Sequence, residues 1–115
     1  MRRKFSSFDE GVTDKEFFSL PERDQAKLAS ILEQYEMTEE SNTRPAIVKD
    51  YGEGLYMIRH ERAAYQGRCL FFRYGVVSGV EQLMIVAFYK KESDSIPKQI
   101  LDRAVTRMKR FKETQ

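Results

Sequence analysis

Apolar positions along this chain recur in two rhythms. Leu28, Ile31, Leu32 and Tyr35 fall at i, i+3, i+4 and i+7, the spacing of one buried helix face. Further on, three β-prone runs follow one another at residues 55–60, 68–74 and 83–89. Helical spacing then returns, with Ile100, Leu101, Ala104, Met108 and Phe111 on one face. The pattern predicts helices, then strands, then a helix.

The punctuation between these runs sharpens the prediction. Residues 1–12 are polar apart from Phe5, Phe8 and Val12, and allow a short edge strand at residues 5–8. Thr13-Asp14-Lys15-Glu16 has the form of a capping box, with Thr13 as N-cap and Glu16 reaching back. A short helix with Phe17, Phe18 and Leu20 should follow, and Pro21 should end it and open a second helix to Met37. The two make a helical hairpin with an acidic outer surface. Residues 39–44 read as a polar linker closed by Pro45, and residues 46–49 as a weak strand or a lead-in. Gly52 and Gly54 predict a turn into the first β-run. Runs this close in sequence should pair as an antiparallel meander. The third run, residues 83–89, is nearly all apolar, as a strand covered on both faces would be. Ser95 is placed to cap the last helix, with Pro97 in its first turn.

Composition narrows the class. At 115 residues, 41% hydrophobic and 33% charged, the chain suits one globular domain spanning residues 1–115. No run is long enough to span a bilayer, and no apolar stretch follows the basic N-terminus. No membrane partner is expected, and the expected location is cytoplasmic. A lone cysteine, Cys69, and a lone histidine, His60, exclude an intramolecular disulfide and a Cys- or His-based metal site, and no cofactor is implied.

Charge is uneven. Residues 1–43 hold 6 Lys and Arg against 10 Asp and Glu, whereas residues 44–115 hold 14 against 8. The basic part coincides with the β-runs, each of which carries or ends in a cation: Arg59, Arg68, Arg73, Lys90 and Lys91. Cations held close together on a strand surface are costly unless an anion meets them. The phosphate backbone of RNA is such an anion. Guanidinium groups match phosphate oxygens bidentately. A lysine among other cations has its pKa pushed down, which would suit a general acid or base. Tyr89 or Tyr74 could stack on a base or move a proton.

Strand alternation limits which groups can share a site. Arg68 lies on one face with Leu70, Phe72 and Tyr74, and Arg73 on the other with Cys69 and Phe71, so Arg68 is favoured. Lys90 and Lys91 point apart if the strand continues. Arg103, Arg107 and Arg110 form a basic stripe on the last helix. It is either a solvated surface or a nucleic-acid or partner site.

Leu55-Tyr56-Met57-Ile58-Arg59, then Arg68-Cys69-Leu70-Phe71-Phe72, then Phe88-Tyr89-Lys90-Lys91 before Pro97, resemble the HigB-type, phage-derived branch of the RelE/ParE toxin superfamily. That branch shows Leu-Tyr-Glu-Leu-Arg and Arg-Val-Leu-Tyr strands, then Phe-x-Lys-Lys before a proline-started helix. Met57 here replaces the usual Glu and Phe71 the usual Tyr. The resemblance implies a RelE-like α+β fold: an N-terminal helix hairpin packed on a twisted antiparallel sheet, with a C-terminal helix. It also implies the toxin of a type II toxin–antitoxin system, a metal-independent endoribonuclease cleaving mRNA at the ribosome. Its implied partners are mRNA, the ribosome and a cognate helix-turn-helix antitoxin, with a homodimer left open. Under this reading Arg59, Arg68, Tyr89, Lys90 and Lys91 are the catalytic candidates. Arg73, Arg103, Arg107 and Arg110 are the RNA-binding ones. Two alternatives stand beside it: a non-enzymatic inhibitor of a host protein such as DNA gyrase, and a plain RNA-binding module.

Overall fold

The computed structural model describes residues 2–37 and 48–114. The expected linker at residues 39–44, Pro45 and the start of the weak strand lie outside them. The elements are β1 (Arg2–Ser7), α1 (Glu10–Phe18), α2 (Glu22–Met37), β2 (Val48–Asp50), β3 (Leu55–Arg59), β4 (Gly67–Val77), β5 (Val80–Lys90) and α3 (Lys98–Glu113). They form an α+β domain of the RelE-like kind, with a five-stranded sheet in the order β1-β5-β4-β3-β2. The meander β3 to β5 is antiparallel, as expected, and β2 adds a further antiparallel strand beside β3. The sheet as a whole is mixed, because β1 lies parallel to β5. A parallel neighbour comes from a distant part of the chain, so local patterning could not announce it.

The sheet is covered on both faces. On one, the α2 residues Leu28, Ile31 and Tyr35 pack on Ile58, Cys69, Phe71, Leu83 and Ile85. On the other, Ala104 and Met108 of α3 pack on Leu55, Met57, Leu70, Phe72, Met84 and Val86. Phe71 and Phe72 are adjacent in β4 and wholly buried, one under each helical layer. Among the described residues, no helix is long and apolar enough to cross a membrane.

Two helix starts differ from expectation. The N-cap of α1 is Asp9, whose carboxylate accepts from the N–H groups of Gly11 (3.0 Å) and Val12 (3.4 Å). A carboxylate is favoured there by both hydrogen bonding and the helix dipole. Thr13 therefore lies inside the helix, buried, donating to the Asp9 carbonyl and paired with the Ser7 hydroxyl. Glu16, released from a capping role, points toward the sheet. In α3 the N-cap position is held by Pro97, with no side-chain cap, rather than by Ser95. The Pro97 carbonyl accepts from Ile100 and Leu101, while the Ser95 carbonyl accepts from the Ser93 hydroxyl.

β5 is not regular. Leu70 of β4 sits opposite Ala87, and the next residue, Phe71, opposite Ile85, so Val86 is an extra residue. Val86 and Ala87 therefore both face α3. This β-bulge sets which way every later side chain of the strand points.

Candidate active site

At the end of the sheet where β3 finishes, three residues form a row across adjacent strands. Arg59 lies opposite Arg68, and Arg68 opposite Tyr89. Paired positions on neighbouring strands present side chains to the same face. All three line one concave pocket of about 210 Å³, with Met57 at its side. Lys49 enters from β2, where it is paired with Met57, and Lys91 from just beyond β5. Four cations from four stretches of chain thus line a single cleft.

Their surroundings differ. Arg68 is buried, with Nη1 donating to the carbonyls of Tyr65 (2.9 Å) and Gly67 (3.0 Å). Burial, and then the neighbouring Arg59 charge, lowers its pKa from the ordinary arginine value. Arg59 donates to the His60 carbonyl at 3.0 Å. Among the described residues, no carboxylate forms an ion pair with either guanidinium. Lys91 pairs with Asp94 at 3.3 Å, but that carboxylate is fully exposed and such pairs are weak. The Tyr89 phenol is pushed up to about 12, chiefly by burial and also by Tyr51, with Arg68 acting the other way. At neutral pH it is a hydrogen-bond donor that keeps its proton.

The other candidates lie elsewhere. Lys90 is opposite Gly67, whose missing side chain faces Leu20, Asp24 and Leu28, so Lys90 belongs to the helix-hairpin face. Arg73 also takes that face, stacked over Tyr56 and 3.5 Å from the Glu81 carboxylate. Arg107 donates to Glu16 and to the Val86 carbonyl, and Arg103 lies 3.4 Å from the same glutamate. Arg110 lines a separate groove with Phe8 and Phe111. Tyr74 packs its ring against Phe72 and Phe111. His60 accepts from the Arg62 N–H and sits edge-on to Tyr65; burial and then Lys27 lower its pKa.

Sequence reasoning missed Lys49, Tyr51, Ser93 and Asp94, which also line the pocket. Lys49 and Tyr51 had a usable signal: they alternate just before the Gly52–Gly54 turn, and hairpin pairing with Leu55 would have set their face. The Tyr51 N–H indeed donates to the Leu55 carbonyl.

The fold and this cleft define a small RelE-like α+β domain whose sheet face carries a cationic pocket. Residues 15–109 match the family described as phage derived protein Gp49-like (DUF891). The match covers most of the chain, and the chain belongs to that family, one commonly associated with toxins of toxin–antitoxin systems. No curated protein matches it.

Proposed function

We propose that the chain is the toxin of a type II toxin–antitoxin system and a metal-independent endoribonuclease acting on mRNA at the ribosome. The observation that carries this reading is the row Arg59–Arg68–Tyr89, with Lys49 and Lys91 beside it, in one pocket. In the reaction the ribose 2′-hydroxyl loses its proton to water, its oxygen attacks the adjacent phosphorus, and the bond to the 5′-oxygen breaks to leave a 2′,3′-cyclic phosphate and a 5′-hydroxyl. Negative charge grows on the phosphorane oxygens, and the leaving oxygen needs a proton. Arg59 and Arg68 stabilise that charge through paired N–H donors. Tyr89, protonated at neutral pH, donates to the leaving oxygen. Lys91 and Lys49 hold the flanking phosphates as point charges.

The test is induced expression followed by mapping of mRNA 5′ ends. New ends should appear with the wild type and fall by about 10²- to 10³-fold with Arg59→Ala, the loss typical of one transition-state donor. Lys91→Ala should also reduce them. Growth arrest with no new ends would overturn the nuclease reading and favour an inhibitor that binds a host protein.

A further inference from the structure

The bulge in β5 lies beside an unusual contact. β1 pairs with β5 only as far as Ser7 and Ile85, and the Phe8 N–H takes the Ile85 carbonyl. Past that point no strand among the described residues lies beside that flank of β5. In a regular strand, polar backbone groups face one flank at every second residue, so Ala87 would present its N–H and carbonyl there. The bulge changes the parity. The groups bonded on that flank are the Val86 carbonyl, which accepts from Arg107 at 2.8 Å, and the Phe88 N–H, which donates to Glu16 at 3.2 Å. Glu16 and Arg107 close the arrangement with their own 2.9 Å contact. One side chain comes from α1 and the other from α3.

Without the bulge, Leu70 would face Val86, and Arg68 would face Phe88. Phe88 and Lys90 would then turn toward the pocket, and Tyr89 and Lys91 away from it. We propose that Glu16 and Arg107 are positioning residues, which hold β5 in its bulged form and so deliver Tyr89 and Lys91 to the pocket. They satisfy two backbone groups that only the bulged strand offers on that flank. The pocket's chemistry rests on the nuclease reading above; the facing of the strand does not.

A deletion provides the decisive test. Removing Ala87 puts Val86 opposite Leu70 and leaves Phe88 opposite Cys69 and Tyr89 opposite Arg68. The pocket residues then face correctly in a regular strand that needs no clamp. The primary measurement is the nuclear Overhauser contact between the Phe17 and Phe88 rings, whose centroids lie 5.2 Å apart in the native protein. It should be present in the wild type, lost in Glu16→Ala and Arg107→Ala, and regained when Ala87 is deleted from either variant. In parallel, mRNA cleavage should fall by about a hundredfold in the single variants, as expected for a displaced catalytic group, and recover in the combined ones. If Glu16→Ala fails to fold, recovery of the folded state and the contact by the deletion supports the proposal. Persistence of the contact in the single variants, or no recovery on deletion, overturns it. A failed nuclease reading would instead leave the wild type without cleavage while the contact arm still reports.

Discussion

At the scale of single residues, position on the strand decides which cations share the cleft. Arg59 and Arg73 are both strand arginines, yet only Arg59 lines the pocket; Arg73 lies on the opposite face against Tyr56 and Glu81. Arg73→Ala should therefore leave mRNA 5′ ends near the wild-type level while Arg59→Ala removes them. Tyr89 offers a second residue-scale measurement. Its folded pKa of about 12 lies above the ordinary tyrosine value of 10.0. A raised value means the folded state holds the proton more tightly than the unfolded chain. The corresponding stability, on the order of 2 kcal/mol, is complete below pH 10 and disappears as pH rises toward 12. Urea titrations should show Tyr89→Phe losing less stability over that interval than the wild type. Equal slopes would mean the phenol is not buried.

At the scale of elements, local chemistry and packing compete for the same residues. Thr13 was the expected start of α1, but the Asp9 carboxylate took the cap and Thr13 went into the interior. Asp9→Ala should lower stability by about 1 kcal/mol in denaturant titration, the usual loss for a removed cap. A neutral result would show that the helix is held by packing alone. The α3 stripe illustrates the same competition. Arg103, Arg107 and Arg110 share a helix face by spacing, but Arg107 and Arg103 meet Glu16 of α1. Periodicity identifies a shared face and not what the face meets.

At the scale of the whole molecule, the sheet separates two cores and places the pocket at the end of one. Cys69 lies at the centre of this arrangement, fully buried in β4, with burial pushing its thiol pKa well up. A thiol reagent should leave it unmodified under native conditions and react fully in denaturant, so its labelling rate reports global opening. Prompt labelling of the native protein would show that the β4 core opens locally.

The helix hairpin, the order of the β-runs, the apolar face of α3 and the opposite facing of Arg68 and Arg73 were all legible in the chain. Each depends on periodicity and turn chemistry within a few residues. What the chain could not reveal was the parallel placement of β1 beside β5 and the choice of Lys91 over Lys90. Those depend on register between strands distant in sequence and on one extra residue in β5. A one-residue slip reverses every side chain after it, so the facing is decided by backbone groups that find partners only once α1 and α3 have packed against the strand.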